Sequence, residues 1–453
     1  MYKGRGKIAA VCLNAAAFAA AAIIASMFFG GAALPVTDAL SAIFSSPEEG
    51  AVFKEQREAE GRQVILSMGE NPGTVYISWK GDKREPHFFR FAQEADGLPS
   101  AKIMTAAGKK ILSGGYYRYS VELTGLIPGR NYFFEIGDGV VFDSPKNFEA
   151  PGSEKDIQLL YLGDVQYGQS DKGYLQWGNM TKRIIRENPG LDFAVTGGDM
   201  INIPLSEKQW NGFLNSCDVF SSLPLMTVPG NHEGVHSNKT YSKIFSAPDN
   251  GPAWERDGTN TGTFARGAFY WFDYGVCRFI MLDSSFFTEE RRMTAGDELW
   301  LKQEKETERW LKSVLEDSGA LWNIAVVHHP PYGVYEKEAV SKMMRDRWVP
   351  IMEKYGTDLV LCGHQHTYMR TCKINGIVYV MGNSGERKSR QSERGGAPFY
   401  IRKIYDEGSN YQIIRVSRRE LRISSYNEKG LVIDEAVLGK KSWLHIFEFF
   451  GGN

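Results

Sequence analysis

The chain has 453 residues, 53 basic against 54 acidic side chains and a formal net charge of -1. That balance carries no nucleic-acid footprint, and with 24% charged and 13% aromatic residues the composition is that of an ordinary globular protein. The length accommodates two or more domains with substantial cores.

Lys3, Arg5 and Lys7 precede an apolar run from Ile8 to Phe29 interrupted only by Asn14 and Ser26. Such a run is long enough to span a bilayer as a helix. It also exceeds the core of a cleavable signal, although Gly31-Ala-Ala33 offers a tolerable cleavage site. Residues 1–34 therefore read as a membrane anchor or a signal segment. Either way the basic end stays in the cytoplasm, leaving the remainder membrane-anchored facing outside the cytoplasm, or secreted. Residues 35–62 are polar and weakly periodic, as a linker is. Of the cysteines beyond the apolar run, Cys217, Cys277, Cys362 and Cys372 show no short paired spacing, so neither a disulfide framework nor a thiolate zinc site is indicated.

From residue 63 to 150 the pattern is one of short strands. Gln63-Val-Ile-Leu66, Thr74 to Trp79, Tyr116 to Leu123 and Asn131 to Ile136 are rich in β-branched and aromatic residues. They are separated by Asn71-Pro-Gly73, Gly114-Gly115 and Pro128-Gly129. Turn signals at that interval, without a helical period, predict a small β-sandwich. Leu126-Ile-Pro-Gly-Arg-Asn-Tyr132 resembles the tyrosine corner of fibronectin type III domains.

After Ala150-Pro-Gly152 strands alternate with helices, and residues 154–440 read as a second domain. Ile157 to Leu162 ends in Gly163-Asp164, Leu191 to Thr196 in Gly197-Gly198-Asp199, and Leu225 to Val228 in Pro229-Gly230-Asn231-His232-Glu233. Leu175 to Glu187 is a helix between the first two. Phe269 to Tyr274 and Cys277 to Leu282 predict a hairpin around Gly275. Glu298 to Leu315 is an amphipathic helix with Trp300, Leu301, Trp310, Leu311, Val314 and Leu315 on its apolar side. Trp322 to Val327 then ends in His328-His329-Pro330, and Asp358 to Cys362 in Gly363-His364-Gln365-His366. Further strands follow from Ile377, Tyr411, Glu420 and Leu431, and residues 441–453 form an aromatic tail.

Collected together, the strand ends offer Asp164, Gln166, Asp199, Asn231, His232, His328, His329, His364 and His366. Strand C-termini are where α/β sheets bind ligands. Oxygen and imidazole donors without thiolate suit Zn, Mn or Fe. The set is too large for one ion and sufficient for two bridged by a carboxylate, the arrangement that phosphoester hydrolysis uses.

These five blocks, in this order, resemble the signature of calcineurin-like metallophosphoesterases. The flanks Trp310-Leu311, Phe272-Asp-Tyr-Gly275, Leu282-Asp-Ser284 and His364-Gln-His-Thr-Tyr-Met-Arg370 are closer to the purple acid phosphatase branch, which also carries a fibronectin-like domain just before the catalytic one. The resemblance covers roughly residues 60 to 437. It implies a mixed α+β and α/β fold class: an N-terminal β-sandwich, then a metallophosphoesterase domain of two packed β-sheets flanked by helices. It further implies that Asp199 bridges two metal ions, with Asp164 and His366 on the first and Asn231, His328 and His364 on the second. His232 is the catalytic group near the leaving oxygen, with Glu233 a candidate for orienting it. The His-x-Pro form favours His328 over His329.

Two positions depart from the pattern. The Asp-x-His histidine of most metallophosphoesterases is Gln166 here, either a neutral ligand or water-holder for the first metal or a packed or substrate-facing side chain. The tyrosine that purple acid phosphatases place three residues after the bridging aspartate is Asn202, so an iron–tyrosinate is not expected and Tyr167, after the other aspartate, is no substitute. Tyr332, Tyr335 and Tyr368 are candidate pocket residues, and the Glu386 to Arg394 loop is a candidate anion lure. The implied function is a dinuclear phosphatase acting on phosphate monoesters. A phosphodiesterase or nucleotidase of the same fold, and a surface binding protein with a degenerate metal site, are the alternatives.

Overall fold

Strand pairing begins at Ile65. In the computed structural model, which describes residues 61–440 apart from 82–86, 107, 112–114, 153–155, 168–170, 235–238, 257–266 and 387–396, the expected sandwich consists of two antiparallel four-stranded sheets. One orders Ile65–Met68, Val75–Gly81, Tyr117–Leu123 and Lys109–Lys110; the other Met104–Ala106, His87–Ala92, Asn131–Gly137 and Lys146–Glu149. Their facing aromatics fill the space between, Trp79 stacking on Phe89 at 5.9 Å and on Tyr119 at 6.0 Å. The Tyr132 hydroxyl accepts from the Ile127 amide at 3.0 Å, which closes the tyrosine corner read from the sequence. Tyr132→Phe removes that acceptor but keeps the ring. We expect a loss of about 1 kcal/mol in urea unfolding, with metal content unchanged.

The second domain packs two mixed sheets face to face. The first orders Leu225–Thr227, Phe193–Thr196, Ile157–Leu162, Asn410–Val416, Glu420–Asn427 and Val432–Gly439, with the first three parallel. The second orders Tyr270–Tyr274, Cys277–Leu282, Trp322–Val327, Leu359–Cys362, Val378–Met381, Tyr368–Thr371 and Ile401–Tyr405, its parallel pairs lying in the middle. The central strands are apolar on both faces because both are covered. Along Ile157–Leu162, Leu159 and Tyr161 face the other sheet while Leu160 and Leu162 face the helices Asp171–Glu187 and Glu207–Asn215. In the second sheet, Ile324 and Val326 point inward while Ala325 and Val327 meet the layer containing Asp297–Glu316, Ala339–Arg347 and Val349–Tyr355.

Two expectations are corrected here. Leu301 lies 41% exposed, not on the apolar side of Asp297–Glu316. The buried stripe runs through Trp300, Gln303, Glu304, Thr307, Leu311, Val314 and Leu315, because its polar members are partnered from outside the helix. Arg291 donates to Gln303, Arg347 lies 3.3 Å from Glu304, and the Trp254 indole donates to Thr307 at 2.9 Å. Tyr368 is no pocket residue: it is buried between the sheets and donates to Asp434 at 2.7 Å. Tyr332 packs against Tyr379 and Tyr400.

The apolar run from residue 8 to 29, the linker up to residue 60 and the 441–453 tail fall outside the described residues, as does the anion-lure loop beyond Glu386. Among the described residues no helix is long and apolar enough to cross a membrane.

The geometry serves one rim. Parallel strands of both sheets end there, and the Tyr161 hydroxyl bonds the Cys362 carbonyl across the interface at 2.7 Å. The sandwich braces the domain from outside, Gln63 donating to Asn211 at 3.0 Å and Asn215 at 2.8 Å and Ser78 to the Ile244 carbonyl at 3.0 Å.

Candidate metal centre

Each strand end turns sharply, and the turning residues carry the chemistry. Asp164, Asp199, His364 and His366 have φ of 28°, 50°, 76° and 51°. Left-handed backbone at non-glycine residues is strained, and here it aims side chains back over the sheet rim. Neighbouring glycines make room. A Cβ on Gly230 would lie 2.2 Å from Asp199 Oδ1, and one on Gly363 would lie 2.7 Å from Asp164 Oδ2.

Two clusters of donor atoms result. One atom each from Asp199, His328 and His364 lie within 4.8 Å of one another, and so do atoms from Asp164, Asp199 and His366. Asp199 belongs to both. His328 Nε2 is 3.1 Å from Asp199 Oδ2, while its Nδ1 meets the Gly197 carbonyl at 2.8 Å and fixes the ring. Asn231 Oδ1 lies 3.1 Å from His364 Nδ1 and so joins the cluster of Asp199, His328 and His364.

Several of these groups are buried without hydrogen bonds. Both oxygens of Asp164 and both amide atoms of Gln166 have no hydrogen-bond partner among the described residues. Stranded buried polar atoms are costly, and convergent donors without partners are what a cation repairs. The residues therefore fit divalent ions. Gln166 is fully buried with neither amide atom hydrogen-bonded among the described residues.

The crowding of these groups shows in their electrostatics. Burial raises the Asp164 carboxyl well above the usual carboxylate range, and Asp199 adds to the shift against the pull of His328. Burial also opposes ionised Asp199, but His328 and His232 outweigh it and hold that carboxyl well below its ordinary value. Burial works against a charged His328 in turn, and Asp199 overrides it, lifting the imidazole to about 10. His329 is separate from both clusters: its Nδ1 meets Ser284 Oγ at 2.7 Å, and burial, then His364 and His328, keep it neutral.

His232 is held differently from the expectation. Its Nδ1 lies 2.8 Å from the Asn202 carbonyl and its amide donates to Asp199 Oδ1 at 2.9 Å. Glu233 does not orient it. The short turn Asn231–Glu233 swings the fully buried Glu233 carboxylate the other way, where it accepts from the amides of Gly230 at 2.6 Å, Asp199 at 2.9 Å, Met200 at 2.8 Å and Ile201 at 3.3 Å. Burial and neighbouring Asp199 raise that carboxyl to about 7. Tyr167 is turned away from a ligand role, its hydroxyl 3.5 Å from the Ser384 carbonyl and its ring against Tyr174.

Sequence reasoning missed Glu338. Its Oε1 is 3.5 Å from His364 Nε2, and Gln365 donates to its Oε2 at 2.8 Å. Gln365 sits between two expected ligands and was the available signal.

Known families match both domains of the chain. Residues 157–368 match the calcineurin-like phosphoesterase family and residues 62–150 the purple acid phosphatase N-terminal domain. Purple acid phosphatase 15 of Arabidopsis thaliana is 29% identical over 413 residues, covering 75% of this chain and 71% of its own length. Acid phosphatase type 7 of Homo sapiens is 25% identical over 344 residues, covering 70% and 72%. The solved structure of PhoD has a TM-score of 0.56 and 14% identity over 83% of this chain and 88% of that chain, a likeness of fold.

Proposed function

The chain belongs to the calcineurin-like phosphoesterases, with a purple acid phosphatase N-terminal domain ahead of the catalytic one, and on that premise we propose a dinuclear phosphatase that hydrolyses phosphate monoesters outside the cytoplasmic membrane. The observation that carries the proposal is Asp199, whose carboxylate is common to both donor clusters. Asp164, His366 and Gln166 would hold the first ion with it; Asn231, His328 and His364 the second. Two such ions, when bound, supply Lewis-acid activation of water and a clamp for phosphoryl oxygens. The protein's own share is to fix those donors on strained strand ends and to aim His232 at the leaving oxygen. Lys3, Arg5 and Lys7 ahead of the apolar run support an outward-facing, tethered placement.

Neither position near the first site supports an iron–tyrosinate. Position 202 is asparagine, and the Tyr167 hydroxyl is engaged elsewhere. The test is metal-stripped protein reloaded with Mn, Zn or Fe(II) and offered an aryl phosphate and a bis-aryl phosphate. Monoester turnover exceeding diester turnover is expected, from a protein without a visible charge-transfer band. Faster diester turnover would move the assignment to a phosphodiesterase, and absence of both turnover and bound metal would overturn the enzyme reading.

A further inference from the structure

We propose that Glu338 is a positioning residue for His364, holding that imidazole so that Nδ1 faces the second metal position and Nε2 faces away from it. The inference rests on the dinuclear reading above and adds a group to it. His364 has one nitrogen on each side occupied: Nδ1 lies 3.1 Å from Asn231 Oδ1, within the cluster that contains His328 and Asp199, while Nε2 lies 3.5 Å from Glu338 Oε1. Both neighbours, the Glu338 carboxylate and the Asn231 amide oxygen, can only accept; a cation held beside Asn231 would take the Nδ1 lone pair, and the proton would then belong on Nε2, facing Glu338. An outer carboxylate on a ligating histidine fixes its tautomer and raises its basicity.

Glu338 is set for this by its own surroundings. It stands immediately before the helix Ala339–Arg347 without capping that helix through its side chain, so both oxygens are available. Gln365 Nε2 takes Oε2 at 2.8 Å, and Gln365 Oε1 takes the amides of Val334 at 2.8 Å and Tyr335 at 3.2 Å. The glutamine between the two ligand histidines thereby ties the loop carrying Glu338 to the turn carrying His364. Tyr400 donates to the Gly333 carbonyl at 2.8 Å and Arg345 to the Glu336 carbonyl at 2.7 Å, bracing the same loop from behind.

The experiment compares wild type, Glu338→Ala and Glu338→Gln by equilibrium dialysis against buffered Zn or Mn with elemental analysis, alongside kcat and KM. Wild type should bind two ions. Glu338→Ala should bind one as before and the other about 10–100-fold more weakly. Glu338→Gln, whose amide oxygen still accepts from Nε2–H, should recover much of that affinity. At saturating metal, kcat should return toward wild type in both variants. Unchanged affinity for both ions in a folded Glu338→Ala, or equal losses in the two variants, would overturn the proposal and leave Glu338 a residue of the pocket rim. Wild type that binds fewer than two ions would instead overturn the dinuclear reading itself. Should the alanine variant fail to fold, Glu338→Leu, which fills the same space and accepts nothing, takes its place: a loss for one ion that Glu338→Gln does not share supports the proposal, and unchanged affinity overturns it.

Discussion

Replacing His232 by alanine is expected to lower turnover by roughly 10²–10⁴-fold, the usual contribution of a positioned proton donor, while both metal ions remain bound. The ring touches the Asn202 carbonyl, not the donor clusters, and the residue's contact with Asp199 is made by its backbone amide, which alanine retains. Because a carbonyl only accepts, Nδ1 carries a hydrogen whatever the protonation state. Nε2 can then donate to a leaving alkoxide only while the ring is an imidazolium. An aryl phosphate, whose leaving group needs little protonation, should suffer much less from the substitution. Asn231→Ala gives the opposite pattern, with weaker retention of one ion, because its amide oxygen sits beside His364 in the donor cluster. Loss of metal from His232→Ala, by elemental analysis after dialysis, would make the ring a ligand and sink the argument.

The donor sets were legible in the sequence because each strand end repeats one physical pattern. An apolar run of four to six residues followed by a carboxylate, amide or imidazole, with a glycine between them at four of the five ends, marks a buried strand turning at a rim, and five of those in register leave few ways to arrange them. What was not legible depended on backbone atoms and on direction. Asn202 acts on His232 through its carbonyl, which any residue possesses, so its identity carries no signal. Glu233 adjoins His232 in sequence, yet the turn sends the two side chains apart. Glu338 lies in a polar loop beside Glu336 and Lys337 and looks like a solvated charge until the fold brings Gln365 against it. Among the strands, Lys109–Lys110 escaped notice because two exposed lysines at a sheet edge guard against further pairing and resemble a loop. Leu301 shows the converse, an apolar residue at an outward helical position that periodicity should have rejected.

The largest effect on stability is expected from Glu233→Ala, about 3–5 kcal/mol in urea unfolding of the metal-free protein. Four amides from two loops converge on this one buried carboxylate. Removing it strands them together, each at roughly 1–3 kcal/mol, with the total reduced by whatever water enters the cavity. The loss should not stop at stability. Asp199 holds a φ of 50° while its amide is fixed by Glu233, and the Asn231 loop is fixed by the Gly230 amide on the same carboxylate. Glu233 thus sets the spacing between the bridging aspartate and a ligand of the second ion, so the variant should also bind metal poorly. Glu233→Gln preserves shape and one acceptor but turns an NH₂ toward amide donors, and an intermediate loss follows. Metal added in excess should recover part of the stability of both variants, since binding to the native state alone pulls the folding equilibrium. A loss under about 1 kcal/mol for Glu233→Ala, with both ions retained, would show that solvent can replace the carboxylate and that the two loops are positioned by the sheets alone.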